Sequence, residues 1–192
     1  MNSNTRPLLF AITIVVVLYL GTSTVPAQDA QYTTAEYNEY QKAVSEGADS
    51  LIAFIDSHPD SALKQYAVSE YQQIIKALTE SGKHSEAAAA GKQYLEKIDS
   101  ESFEVLYLTT WSSFYSQQYD QAVLYGAKTY AMKPDAPQLE SMLVRSYQKT
   151  GNIAEAVPLA EKVCAGVEPK DCYDLLPMIT RHYAERKDWN NA

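Results

Sequence analysis

The sequence predicts an all-α fold in which antiparallel pairs of helices follow one another along the chain. Two observations indicate this fold. A short turn motif that ends in an alanine recurs at a nearly fixed period, and apolar residues before each copy have helical spacing. No stretch alternates apolar and polar residues in the way that indicates a strand.

The turn motif occurs four times between residues 81 and 192. Its closing alanines are Ala87, Ala122, Ala156 and Ala192, so successive copies lie 35, 34 and 36 residues apart. A period of this length with helical flanks is typical of solenoids, in which each helix pair buries one face against the next pair.

Each turn is preceded by an apolar stripe and followed by a helix with small residues on one face. The first stripe has i, i+3, i+4, i+7 spacing and consists of Tyr71, Ile74, Ile75 and Leu78. The same spacing recurs before the last turn at Leu176, Ile179, Thr180 and Tyr183. The small residues that follow the turns are Ala87 and Gly91, Ala122 and Gly126, and Ala156 and Ala160. We expect these small residues to let two helices approach closely. Asp135 follows a helix stop at Pro134 and is the expected N-cap of the next helix.

At these residues the chain resembles the tetratricopeptide repeat family, in its bacterial extracytoplasmic form. The turn glycine of that family falls on Gly82 and Gly151, and its closing proline falls on Pro134. The helix-opening aromatic residue falls on Tyr119 and Trp189.

The chain departs from the family pattern at Gln117 and Lys187, which replace the turn glycine, and at Ser113, which replaces a tyrosine. The resemblance covers roughly residues 33–192. It implies a right-handed superhelix of seven or eight helices, with a concave groove lined by the first helix of each pair.

The N-terminal part has the pattern of a signal peptide. Arg6 precedes the apolar run Leu8–Leu20, and small residues follow up to Ala27, so we assign residues 1–27 to this segment. The alternative is an uncleaved membrane anchor formed by residues 8–25. Either interpretation places the rest of the chain outside the cytoplasm, in the periplasm or secreted.

The remaining chain divides into two parts. Residues 28–61 are expected to form a degenerate leading helical pair. Residues 62–192 hold the repeats, and the last repeat is incomplete because its second helix would only begin at Ala192.

Charge excludes one class of partner. The whole chain has a formal net charge of −8. After residue 27, 15 Lys and Arg stand against 24 Asp and Glu, a net charge of −9. A chain of this charge without a basic run repels phosphate backbones, so nucleic acid is excluded as a partner.

The sequence offers no convincing catalytic or metal-binding motif. Ser61–Lys64 matches S-x-x-K and Lys149–Gly151 matches K-T-G, but the third element of that acyl-enzyme signature is missing. The histidines His58, His84 and His182 have no His or Cys partner at i, i+4 spacing. We therefore predict a protein that is not an enzyme and uses no cofactor or metal.

Cys164 and Cys172 flank a segment that contains Gly166 and Pro169, which turn the chain. In an oxidising compartment two such cysteines can form a disulfide. Two reduced, partly buried thiols are the alternative.

The first helices supply the candidate binding residues. A step of two residues beyond the second core position of each stripe gives Lys76, Trp111, Arg145 and Arg181. Tyr107 and Tyr115 lie one turn on either side of Trp111. A basic and aromatic groove suits an extended, acidic peptide. The alternative is that the aromatic residues pack on the next repeat and the basic residues pair with nearby acids.

These features predict an extracytoplasmic interaction or scaffold module that binds a protein or an extended peptide in its groove. The alternative is the N-terminal repeat region of a larger, truncated envelope protein, with a catalytic or membrane domain beyond it. We also expect self-association through the incomplete last repeat, at Leu176, Ile179 and Tyr183.

Overall fold

The computed structural model describes residues 32–166, 168 and 172–186. Within these ranges the chain forms nine α-helices and no strand, which confirms the all-α prediction. In chain order the helices are α1 (Thr34–Glu46), α2 (Ala48–Ser57), α3 (Lys64–Glu80), α4 (His84–Lys97), α5 (Phe103–Tyr115), α6 (Tyr119–Met132), α7 (Leu139–Thr150), α8 (Ile153–Ala165) and α9 (Leu176–Glu185). The signal-segment prediction for residues 1–27 and the last turn copy at 187–192 lie outside the described residues.

The described residues contain nine helices, where seven or eight are expected, and the first two of them lie in the leading segment. Gly47 separates α1 from α2 with φ 98° and ψ −156°, a conformation that is close to exclusive to glycine. Thr33 begins α1 with a capping box. Its hydroxyl accepts the Glu36 N–H at 3.1 Å, and the Glu36 carboxylate accepts the Thr33 N–H at 2.6 Å.

Helix packing follows the order of the chain. Each helix packs against the one before and the one after it, and α1 meets α3, α3 meets α5 and α5 meets α7. Three groups of buried apolar residues fill these contacts, the first across α1 to α6, the second around α7, and the third across α7, α8 and α9. The core therefore runs along the succession of helices.

The three turns that join α3 to α4, α5 to α6 and α7 to α8 each contain a residue with a left-handed φ angle. Gly82, Gln117 and Gly151 occupy equivalent positions, and their φ angles are 76°, 62° and 80°. This left-handed region disfavours residues with a Cβ atom. Gln117 therefore adopts the conformation of the glycine that it replaces, and the departure from the family pattern leaves the turn unchanged.

The small residues after the turns allow close helix contact, as the pattern predicts. A Cβ atom at Gly91 of α4 would lie 2.0 Å from Oγ1 of Thr109 on α5. A Cβ atom at Gly126 of α6 would lie 2.8 Å from Cδ2 of Leu143 on α7. The hydroxyl of the buried Thr109 donates to the carbonyl oxygen of Val105 at 2.6 Å, so this close contact leaves no polar group unpaired.

The prediction that Asp135 caps α7 is wrong. The helix begins at Leu139, after Gln138, whose φ is 57°. Pro137 explains the later start, because a residue that precedes proline is disfavoured in helical conformation. Ala136 is buried, and its carbonyl oxygen accepts the Leu139 N–H at 3.2 Å.

The buried face of α9 also differs from the predicted stripe. Leu175 and Met178 are 5% and 8% exposed, whereas Leu176 is 39% exposed and Thr180 is exposed. Leu175 closes a turn onto the carbonyl oxygen of Cys172, at 2.9 Å, and this turn directs Leu175 into the core. The stripe therefore keeps its helical spacing but begins one residue earlier.

We predict that Gly82→Ala lowers the free energy of unfolding by about 1 kcal/mol. No atom lies within 4 Å of the added Cβ, so the loss comes from the backbone angle alone. Gly166→Ala is the matched control, because its φ is −98° and the nearest atom to its added Cβ is 3.9 Å away. Urea unfolding measures both variants. Equal stability of the two would contradict the proposed role of the left-handed turn.

We predict that Gly91→Ala lowers the free energy of unfolding by about 1–3 kcal/mol, because the new methyl group collides with Thr109. The loss should shrink by at least about 1 kcal/mol when it is measured in a Thr109→Ala background, which removes the nearest atom. A double-mutant cycle by urea unfolding measures this coupling. No coupling would show that the two helices do not approach at this point.

Candidate functional site

A line of aromatic rings along α5 is the clearest surface feature in the described part of the chain. Phe103, Tyr107, Trp111 and Tyr115, which we call the aromatic row, are spaced by four residues and share one helix face. Successive ring centroids lie 6.3, 6.3 and 4.9 Å apart. Tyr115 is 46% exposed and the other three are half-buried. All four residues of the row are therefore partly accessible to solvent.

Neighbouring helices hold the row in place. The Tyr107 hydroxyl donates to the carbonyl oxygen of Pro137 at 3.0 Å. Phe103, Tyr107 and Trp111 pack against buried residues of α7, among them Leu139 and Met142. At the other end, the ring of His84 on α4 stacks on Tyr115, with centroids 5.2 Å apart. Three of the four aromatic residues therefore pack on α7 and the fourth, Tyr115, stacks on α4, yet all four remain partly exposed.

The Tyr107 hydroxyl is a stable hydrogen-bond donor. Burial is the main cause that raises its pKa above the usual value, and the nearby Tyr115 raises it further. This hydroxyl stays protonated at neutral pH and keeps its bond to Pro137. The bond fixes the ring at the centre of the row.

The basic residues predicted for the groove do not form one cluster. Nη2 of Arg145 lies 3.3 Å from Oδ2 of Asp174, and Nε of Arg181 lies 2.7 Å from Oε1 of Glu185. Both pairs are exposed, and such pairs contribute about 1 kcal/mol or less. Lys76 is exposed on α3 and forms no ion pair with any residue that the structure describes. The alternative of pairing with nearby acids holds for both arginines.

A cavity of about 490 Å³ lies beside α9. Ile153 and Met178 line it with apolar surface, and Asp174, Arg181 and Gln148 line it with polar groups. Asp174 pairs with Arg145 and also lines the cavity, whereas Arg181 lines the cavity but pairs with Glu185. Sequence reasoning missed Asp174 because its partner lies 29 residues away in the chain.

A second polar network, also missed from sequence, connects α6, α7 and α8. The Lys162 ammonium group pairs with Oε1 of Glu140, and this oxygen also accepts the Tyr130 hydroxyl at 3.2 Å. The same ammonium group lies 5.5 Å from the centroid of the Tyr130 ring. Charge pairing and a cation–π contact together join the three helices.

The structure joins Cys164 and Cys172 in a disulfide, with their Cα atoms 5.6 Å apart. Cys172 is 1% exposed, while Cys164 is half-buried at the end of α8. Disulfides persist in oxidising compartments, so this bond is consistent with export.

The histidines have packing contacts. Nε2 of His58 lies 3.2 Å from Oε2 of Glu39, and its ring stacks on Phe54 with centroids 4.6 Å apart. His84 stacks on Tyr115, and its buried Nδ1 has no hydrogen-bond partner among the described residues. No group of three or more His, Cys, Asp or Glu residues is placed to hold a metal ion in that part of the chain. None of the described helices is long and apolar enough to span a membrane.

Comparison of the chain with family models, with curated proteins and with solved structures finds no match. The resemblance to the tetratricopeptide repeat family therefore rests on the residues of this chain.

We predict that the disulfide contributes about 2–3 kcal/mol to stability, because it closes a short loop in the unfolded chain. Dithiothreitol should lower the free energy of unfolding in urea by this amount. The double variant Cys164→Ser, Cys172→Ser is the control, because the reductant should leave its stability unchanged. Two free thiols in the denatured, unreduced exported protein would contradict the bond.

Proposed function

We propose that this protein is an exported, non-enzymatic repeat module of the tetratricopeptide type, which binds an extended protein segment on its aromatic row. The observation that supports this most directly is the row itself. It presents four partly exposed rings on the first helix of a pair, the position that lines the groove in the family that the chain resembles.

The packing order supports the repeat arrangement. Contacts between α1 and α3, between α3 and α5, and between α5 and α7 are those expected when first helices line one side of a solenoid. The shared left-handed turn at Gly82, Gln117 and Gly151 gives successive pairs the same connection. We therefore propose a right-handed solenoid of antiparallel pairs for residues 62–186, preceded by the leading pair α1 and α2.

The row has the properties of a binding anchor. Aromatic residues provide much of the binding energy at protein interfaces when they sit in fixed, partly enclosed positions. Trp111 lies at the centre, between Tyr107 and Tyr115, and packing on α7 limits its freedom before a ligand arrives. Binding of a ligand to Trp111 therefore costs less side-chain conformational entropy than binding to a mobile side chain would.

Charge plays a smaller part in this proposal. An acidic ligand would displace Asp174 from Arg145, and the exchange of one exposed carboxylate for another changes the free energy little. Lys76 would attract acidic groups over a longer range, with a strength that falls as salt rises. The aromatic rings anchor the segment, and the basic residues steer it.

Export is the remaining part of the proposal. The disulfide between Cys164 and Cys172 supports an oxidising compartment, such as the periplasm or the extracellular space. A module of this kind would tether or assemble proteins in the cell envelope.

The test is a selection of displayed random peptides on the wild-type protein, followed by affinity measurements on variants. Trp111→Ala should weaken binding of the selected peptides by about 30-fold or more, which corresponds to about 2 kcal/mol. Arg145→Ala should weaken it by about fivefold or less, and the difference should fade with added salt.

The matched control is Leu124→Ala, because Leu124 is 54% exposed on α6, the other helix of the same pair. It should leave binding unchanged, and circular dichroism should show all variants folded. If selected peptides lose affinity with Leu124→Ala and keep it with Trp111→Ala, the aromatic row is not the binding surface.

A further inference from the structure

We propose that the Cys164–Cys172 disulfide controls whether Arg145 is paired, because it holds the turn that places Asp174 beside this arginine. In the oxidised protein this carboxylate occupies Arg145, and reduction makes the guanidinium group available to a ligand. The inference rests on the proposed function for its consequence, and its test measures Arg145 directly.

The first step leads from the disulfide to the turn. Cys172 is fixed to the end of α8 through Cys164 and is buried. Its carbonyl oxygen accepts the Leu175 N–H at 2.9 Å, which closes a turn over residues 172–175. The carbonyl oxygen of Leu175 accepts the N–H groups of Met178 and Ile179, so the turn continues directly into α9.

The second step leads from the turn to Arg145. Asp174 lies inside the turn, and its Oδ2 is 3.3 Å from Nη2 of Arg145 on α7. The two side chains are 57% and 56% exposed, and exposed pairs attract each other weakly. The fixed position of the turn, more than the attraction, therefore keeps the carboxylate beside the guanidinium group.

The redox step is an ordinary thiol–disulfide exchange with a dithiol as reductant. One thiolate of the dithiol attacks Sγ of Cys164, the more accessible sulfur, and Cys172 leaves as a thiolate. The second thiol of the reagent then displaces Cys164 from the mixed disulfide. Two electrons pass from the dithiol to the protein, which gains two thiols, while the reagent becomes a disulfide.

Other contacts keep α9 in place after reduction. Met178 is buried in the apolar cluster that includes Val157 and Ala160 of α8. The hydroxyl of Tyr183 donates to Oε1 of Glu161 at 2.8 Å. These contacts, together with the burial of Leu175 in the same cluster, hold α9 in place. Reduction therefore frees residues 172–174 from their covalent link to α8 without releasing the helix.

The test is arginine labelling of the full chain with phenylglyoxal, read by peptide mass spectrometry. Reduced and alkylated protein is compared with oxidised protein, and the double variant Cys164→Ser, Cys172→Ser supplies an open state without reagents. Labelling of Arg145 should be about threefold faster in both open states, since a weak ion pair protects by less than about fivefold. Asp174→Asn should label fast whether the disulfide is open or closed.

Arg181 is the internal control, because its partner Glu185 lies one turn along the same helix. Its labelling should not respond to reduction. Equal labelling of Arg145 in the oxidised and open states overturns the proposal. A parallel rise at Arg181 with loss of helical circular dichroism also overturns it, because the disulfide would then hold the whole helix. Neither outcome depends on peptide binding, so this failure is distinguishable from failure of the proposed function.

Discussion

The close approach of successive helices is the constraint on which the other features depend. At Gly91 there is no room for even one additional carbon atom beside Thr109, and Gly126 has the same relation to Leu143. These contacts draw α5 towards α4 and α7 towards α6. Because α5 and α7 then meet, Phe103, Tyr107 and Trp111 pack against the cluster of Leu139 and Met142 and are only half-buried. The partial burial that makes the row a candidate anchor is therefore a consequence of glycine positions on other helices.

The proposed binding mode follows from a contrast between the rings and the charges. Phe103, Tyr107 and Trp111 are held by packing against residues of α7, and Tyr107 is held further by its hydrogen bond to Pro137. The arginines lie on the surface and already have carboxylate partners, which a ligand can replace. On such a surface, the fit of a partner's apolar groups to the rings determines specificity. Charge pairs contribute a smaller part of the binding free energy, which changes with salt.

The sequence predicts features that depend on local spacing and misses those that depend on distant contacts. The helical periods, the small residues at Gly91 and Gly126 and the turn positions at Gly82 and Gly151 follow from residue type and period, and the structure agrees with them. Tyr107 and Trp111 are predicted as neighbours because they lie one turn apart.

The missed features have two physical causes. The pairing of Arg145 with Asp174 and the stacking of His84 on Tyr115 join residues about thirty positions apart, and no local pattern encodes them. The shift of the buried face of α9 arises from the turn that follows Cys172. The position of this turn depends on a disulfide partner eight residues earlier, which the helical pattern of α9 does not encode.

The order of helix contacts has a consequence for how the chain acquires its structure. In the described part of the chain, extensive contacts join only helices that are one or two elements apart. Contacts of such short sequence separation form quickly and without closing long loops. A chain that emerges gradually, N-terminus first, from a ribosome or a translocation pore can therefore add one helix at a time to a finished surface. Each helix completes its packing only when the next one or two helices follow, so the newest helix is the least protected from proteases.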